Sequence, residues 1–328
     1  MAHCAHYVER VHDRLSLTSA SRVVEVGSND GHLLRMFLRH KIPVLGVEPA
    51  ANLAEAARRH GVPTEAAFFN SEIAARIRER FPADLIIANN VFAHAPDIND
   101  FVRGMAMLLK PGGTITIEVP HILRMIEERQ VDTIYHEHVF YFSLHSLEAA
   151  LSRHGLSVYD LELLPTHGGS LRVYAAHRAD RRSASQSVSL IHQAERDGGL
   201  QAFAAYRQFA ASVAEVKPDL AAFLAAAARD GKRVAGYGAA AKGISLLNYI
   251  DGAQAVEYVV DLSPHKQGLF LPGTHLPIYS PERVFETRPD YLLILAWNIK
   301  DEVMEQMSGI RSWGGRFVIP APELVIAP

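Results

Sequence analysis

Twice in this chain a short, largely apolar run ends on a glycine turn and passes at once into helical spacing. Arg22–Val26 runs into Gly27 and Gly31, and Arg233–Gly236 runs into Gly238 and Ala241. Such a run, without polar alternation, reads as a strand buried on both faces in a parallel sheet. The helix that follows is the crossover a parallel sheet needs.

The alternation continues after the first turn. Leu33, Leu34, Phe37 and Leu38 give Gly31–His40 one apolar face. Pro43–Val47, Asp84–Ala88 and Thr114–Val119 read as further strands. Asn52–His60, closed by Gly61, and Asn99–Leu109 read as helices, and Pro111-Gly112-Gly113 is a hard turn. Ser143 is placed to cap a helix over Leu144–His154. Gln186–Ala228 is alanine-rich and predicts two helices broken at Lys217-Pro218, with further turn signals at Arg181-Arg182-Ser183 and Asp197-Gly198-Gly199. Alternation returns with a helix over Ala240–Tyr249 and strands over Val256–Val260, Tyr291–Ala296 and Arg316–Ile319. The expected fold class is α/β: a Rossmann-like parallel sheet over residues 1–180, a helical linker over 181–230 and a second Rossmann-like domain over 231–328.

At 328 residues the chain exceeds one ordinary core. Its net charge of −3 and lack of a basic run argue against nucleic acid as a partner. No apolar run reaches the roughly 20 residues that span a bilayer, and Met1–His6 lacks the pattern of a signal peptide, so a cytoplasmic protein without membrane partners is expected. Cys4 is the single cysteine, which excludes an internal disulfide and a multi-thiolate zinc site. His3, Cys4, His6 and His12 read as scattered residues of a solvated first helix rather than metal ligands.

Ligands of open parallel sheets bind beyond the carboxyl ends of the strands. Here those ends carry Gly27–Gly31, Glu48, Asn89–His94 and Glu118–His121. The first turn is Glu25-Val26-Gly27-Ser28-Asn29-Asp30-Gly31. Its first glycine permits close approach of a ligand, and Gly31 opens a helix whose N-terminus can receive a carboxylate. Asn29 replaces the middle glycine of a dinucleotide fingerprint. Asp30 would repel a pyrophosphate and favour the ammonium or sulfonium of S-adenosylmethionine. Glu48 can accept hydrogen bonds from ribose hydroxyls, and Asn89 and Asn90 complete the expected cofactor set. Farther on, Tyr135-His136-Glu137-His138 combines two histidines with an acid, which suits proton transfer. The same segment also reads as a polar loop packed on the sheet.

These motifs together resemble the sugar-nucleotide C-methyltransferases. The resemblance is carried by Val23–Gly31, Asp132–His138 with Tyr141-Phe142-Ser143, His167-Gly168-Gly169-Ser170-Leu171-Arg172, Gly236–Gly243, Pro264–Gly268, Pro272-Gly273-Thr274 and Ala296-Trp297-Asn298. It is strongest to the NDP-hexose 3-C-methyltransferases. The resemblance implies S-adenosylmethionine as methyl donor and an NDP-linked, dTDP-type 4-keto-6-deoxy sugar as acceptor. It implies His138 as the base that removes the proton beside the ketone, with Tyr135, Glu137 and His94 in the active site. His136, His167, Ser170 and Arg172 would bind substrate, and Lys242 and Lys266 would meet its phosphates. Family members begin with a cysteine-rich zinc domain that these residues do not contain, so no zinc is expected in this chain. A monomer or homodimer is expected.

Read alone, Gly236-x-Gly238-x-x-Ala241 followed by Asp261 also resembles a dinucleotide fingerprint. An NAD-linked oxidoreductase is therefore the alternative reading. A methyltransferase acting on a different carbon acid and a catalytically silent binding subunit are two further readings.

Overall fold

Val23–Val26 forms β1, and all four residues are buried. Among the described residues it is an inner strand of a seven-stranded sheet. The others are β2 (Val44–Val47), β3 (Thr64–Glu65), β4 (Ala83–Asn89), β5 (Leu109–Pro120), β6 (Leu156–Leu164) and β7 (Ser170–His177). The order is β3-β2-β1-β4-β5-β7-β6. Strands β1 to β5 pair in parallel, and β7 is antiparallel to both β5 and β6. Alternate residues of a strand face opposite sides, and the core divides accordingly. Val24, Val26, Ile86 and Ala88 pack into one apolar cluster with Phe92, Phe101 and Met105. Val23, Leu85 and Ile87 join the other with Val11, Leu34 and Phe37. The computed structural model describes residues 2–321 and 323–328, with side chains for all of these but Ala2, His167 and Val216.

The second sheet repeats the plan. Strands β8 (Val234–Tyr237), β9 (Val256–Val260), β10 (Ile278–Tyr279), β11 (Tyr291–Ile294), β12 (Arg316–Ile319) and β13 (Val325–Ala327) run in the order β10-β9-β8-β11-β12-β13. Among the described residues, β13 is the one strand of this sheet that pairs antiparallel. Val234 and Leu293 face one cluster, while Ala235, Leu292 and Ile294 face the other. The chain therefore has the expected α/β class, a Rossmann-like sheet followed by a second α/β domain, although both sheets are mixed rather than wholly parallel. The correspondence reaches individual hydrogen bonds. Gly27 N–H donates to the Val47 carbonyl and Gly238 N–H to that of Val260, each at 2.8 Å. Glu48 N–H donates to Glu65 and Asp261 N–H to Tyr279, each at 3.0 Å.

Two compact units result. One comprises Met1–Ile122, Val139–Pro165 and Gly169–Asp197; the other comprises Leu123–His138, Thr166–Gly168 and Gly198–Pro328. The second thus takes two segments from within the sequence of the first half, including the one carrying Tyr135–His138.

The expected break at Lys217-Pro218 is absent. One helix runs continuously over Phe203–Arg229 with Pro218 inside it, and the interruption follows Asp197, at the Gly198-Gly199 signal. A proline removes one intrahelical hydrogen bond, at a cost of about 3 kcal/mol. The long alanine-rich flanks retain theirs, so the helix persists.

The β6–β7 hairpin escaped the sequence reading because β7 buries a charge. Arg172 is 1% exposed. Its Nη2 donates to Glu118 Oε2 at 2.7 Å, Nη1 lies 3.5 Å from Glu162, and its guanidinium stacks 4.5 Å from the Tyr7 ring centre. The Tyr7 hydroxyl in turn shares a 2.6 Å hydrogen bond with Thr116, which docks the helix Ala2–Leu15 on this side of the sheet. Arg172→Met keeps the bulk and removes the guanidinium that pairs with the buried Glu118. We expect it to lower the unfolding free energy by about 3–5 kcal/mol, because breaking a buried ion pair from one side is costly. Urea denaturation measures this. A shift below about 1 kcal/mol would assign Arg172 a role other than holding the sheet.

Candidate active site

The first glycine turn needs the left-handed backbone region three times, at Gly27 (φ 70°), Asn29 (φ 51°) and Gly31 (φ 77°). A Cβ on Gly27 would come within 2.9 Å of a Val91 methyl. The turn is held open by Glu48 at the end of β2. Glu48 Oε2 accepts the Asn29 N–H and Oε1 the Ala50 N–H, both at 2.9 Å. A carboxylate has about four acceptor positions, so Glu48 retains capacity for two further donors. Asp30 is bound locally: its Oδ1 accepts the N–H of His32, the first residue of the next helix, at 3.2 Å.

Polar atoms at these strand ends are left over. Glu25 Oε2, Ser28 Oγ and Asn89 Oδ1 are buried without a hydrogen-bond partner, which native interiors rarely tolerate unless a ligand or water completes them. Burial, and then the neighbouring charges of Asp30 and Glu48, push the Glu25 carboxyl well above the usual carboxylate range. A neutral carboxyl can donate one hydrogen bond and accept others. Asn90 takes a positive φ of 53° and donates its N–H to the Glu118 carbonyl at 2.8 Å. Beside the turn is a cavity of about 360 Å³ lined by Gly27, Val47, Phe68, Val91, His94 and Asp97 among others. Its walls are mainly apolar, as in most small-molecule sites. His94 therefore lies where the sequence placed it, at the mouth of the third parallel strand of the pattern.

In the second unit, Tyr135 and His138 form a pair. The Tyr135 hydroxyl lies 2.9 Å from His138 Nε2, and the rings are 4.2 Å apart. His138 Nδ1 lies 3.0 Å from the Thr133 carbonyl. A carbonyl only accepts, so Nδ1 must carry the proton. In the neutral ring Nε2 then carries the lone pair and accepts the phenol O–H. His136 and Glu137 are both exposed.

The second glycine turn is held in the manner of the first. Asp261 Oδ2 accepts the Ala239 N–H and Oδ1 the Ser263 N–H, both at 2.8 Å, and Lys266 Nζ approaches Oδ2 at 3.2 Å. Lys242 lies 5.2 Å from the centre of the Trp297 ring. Burial lowers its ammonium from the usual lysine value, against the opposing pull of Asp132 and Glu128. Ser170 and Arg172 are buried in β7, and the His167 side chain lies outside the described residues. Among the described residues, no group of three or more His, Cys, Asp or Glu is placed to hold a metal ion, and no helix is long and apolar enough to cross a membrane.

The sequence reading missed several buried contacts. His121 Nε2 meets Glu195 at 2.9 Å, and Asp132 accepts the Trp297 indole N–H at 2.7 Å. Each joins residues far apart in the chain, which no local pattern signals.

Comparison with known proteins agrees with this geometry. A family profile described as a methyltransferase domain matches residues 2–161, and one described as a C-methyltransferase C-terminal domain matches residues 165–322. C-methyltransferase NovU of Streptomyces niveus is 39% identical over 323 residues, covering 98% of this chain and 77% of that protein. A ubiquinone biosynthesis O-methyltransferase of Rhodopseudomonas palustris (strain TIE-1) is 30% identical over 112 residues, covering 33% of this chain and 44% of its own. Among solved structures, the Burkholderia thailandensis 1,6-didemethyltoxoflavin-N1-methyltransferase aligns over 53% of this chain and 76% of its own, at 21% identity and a TM-score of 0.40. With both halves matched by methyltransferase profiles and nearly the whole length matched by NovU, the chain belongs to the S-adenosylmethionine-dependent C-methyltransferase family.

Proposed function

We propose that this enzyme methylates carbon 3 of an NDP-linked 4-keto-6-deoxy sugar, with dTDP as the nucleotide. The carrying observation is the Tyr135–His138 pair, whose Thr133 contact reserves Nε2 as a proton acceptor. A carbon can be methylated as a nucleophile only after it loses a proton, and a ketone next to it makes that loss feasible for a histidine. His138 removes the C3 proton at Nε2. The resulting imidazolium keeps both N–H groups near oxygens, those of Thr133 and Tyr135. The Tyr135 hydroxyl then stabilises charge as it develops on the ketone oxygen.

The first glycine turn fits S-adenosylmethionine, which when bound supplies an electrophilic methyl group. Glu48 accepts from the ribose hydroxyls. The unpartnered Glu25, Ser28 and Asn89 atoms meet the polar methionine end, together with Asp30. The apolar walls of the cavity receive the base, with His94 and Asp97 at its edge. In the second unit, Lys242 and Lys266 lie near the carboxyl ends of β8 and β9 and supply positive charge for the diphosphate.

The wild-type enzyme should exchange the C3 proton of a dTDP-4-keto-6-deoxy sugar with deuterium from solvent, and should transfer methyl to the same carbon when S-adenosylmethionine is added. Mass spectrometry reads both. Methyl transfer to a non-sugar ketone, with no exchange on dTDP-, GDP- or CDP-linked ketosugars, would overturn the acceptor. NAD binding without S-adenosylhomocysteine binding, measured by calorimetry, would overturn the donor site.

A further inference from the structure

We propose that Asp132 is a positioning residue: anchored on Trp297, it fixes the ring orientation and proton placement of His138 through the carbonyl of Thr133. The inference rests on the reading of His138 as the base, and all of its geometry lies within the second unit.

Asp132 is 2% exposed, and a carboxylate is rarely buried so deeply without paired partners. Its Oδ2 accepts the Trp297 indole N–H at 2.7 Å, while Oδ1 has no hydrogen-bond partner. Burial raises its carboxyl from the usual aspartate value, and the Lys242 charge and the Trp297 hydrogen bond work against that. Lys242 is in the first turn of the helix Ala241–Tyr249, just after β8, and Trp297 follows β11. Strands β8 and β11 are adjacent. Asp132 is thus hydrogen-bonded to the residue run after β11 and lies in the field of the lysine that follows β8.

That tie reaches His138 by a short path. Val131–Thr133 is a single 3-10 turn, closed by Thr133 N–H to Gln130 and Ile134 N–H to Val131. Fixing Asp132 fixes the Thr133 carbonyl one peptide farther on, and that carbonyl holds His138 Nδ1 at 3.0 Å. Of the intervening residues Ile134, His136 and Glu137 are exposed, and the Tyr135 hydroxyl, which can donate or accept, can meet Nε2 in either tautomer. Without the Asp132–Trp297 contact the carbonyl can drift, and His138 can exchange its proton between Nδ1 and Nε2. The tautomer protonated at Nε2 cannot accept the C3 proton at that atom.

The test uses the intact protein labelled with ring-15N histidine, with His138→Asn to assign the His138 resonances. Wild type should show the neutral ring protonated at Nδ1. Asp132→Ala and Trp297→Phe should shift His138 toward a mixture of tautomers. Asp132→Asn, which keeps an acceptor for the indole, should retain the wild-type signature. In turnover, Asp132→Ala should lower kcat about 100-fold, the scale of a small misplacement of a reacting group. The double variant with Trp297→Phe should be no slower. If Asp132→Ala fails to fold, Trp297→Phe carries the same measurement. An unchanged His138 signature in a folded variant overturns the inference. The tautomer is read without substrate, so an enzyme inactive on ketosugars would overturn the acceptor assignment and leave the tautomer result standing.

Discussion

His138→Asn should lower kcat for methyl transfer by about 1,000-fold, within the range general-base catalysis contributes. Asparagine preserves a polar side chain of similar reach, but its amide cannot take a proton at neutral pH. Binding should survive, because neither the first glycine turn nor Lys242 and Lys266 include His138. The pattern to look for is therefore a collapsed kcat with S-adenosylhomocysteine affinity intact, and C3 deuterium exchange lost in parallel. If exchange continues at the wild-type rate, another group removes the proton. Tyr135→Phe offers a graded comparison. It removes the hydroxyl that meets Nε2 at 2.9 Å, yet leaves the Thr133 contact that sets the tautomer. Its loss should be smaller, about 10- to 100-fold, as for one hydrogen bond to developing charge.

Glu48→Ala should weaken S-adenosylhomocysteine binding about 100-fold. Each hydrogen bond to a charged group contributes about 1.5–3 kcal/mol, and the carboxylate serves both the proposed ribose contact and the turn itself. Losing it frees the Asn29 and Ala50 N–H groups that shape the turn. Glu48→Gln keeps the shape but turns one acceptor into a donor, so a loss of about tenfold is expected. Calorimetric titration measures both. The second unit supplies the control. Asp261 holds its own glycine turn by the same contacts, and Asp261→Ala should leave S-adenosylhomocysteine affinity within about twofold while raising KM for the sugar nucleotide. An equal loss in Asp261→Ala, or none in Glu48→Ala, would misplace the methyl donor.

Much of this was legible in the residues. The parallel strands announced themselves because burial on both faces demands largely apolar runs, as in Val23–Val26, which only Glu25 interrupts. Glycine at 27, 31 and 238 marked the turns because left-handed backbone penalises other residues there. Ser143 caps the helix Leu144–Ser152 through a reciprocal capping box with Ser146, again a local device. Pro218 misled for the converse reason: a local rule was outweighed by the summed hydrogen bonds of a long helix.

The sequence by itself determined where the glycine turns lie, which carboxylate follows each second strand and which segment holds the Tyr-His pair. These depend on backbone sterics and on periodicities of two and 3.6, which act between near neighbours. Only the tertiary structure decided that Arg172 serves a buried ion pair with Glu118, that Glu25 is left unpartnered, and that Asp132 meets Trp297 across 165 positions. It also decided that Leu123–His138 clusters with the second unit. Desolvated charges and long-range hydrogen bonds depend on what the folded chain brings within about 3 Å, and that proximity is not written in any local stretch of residues.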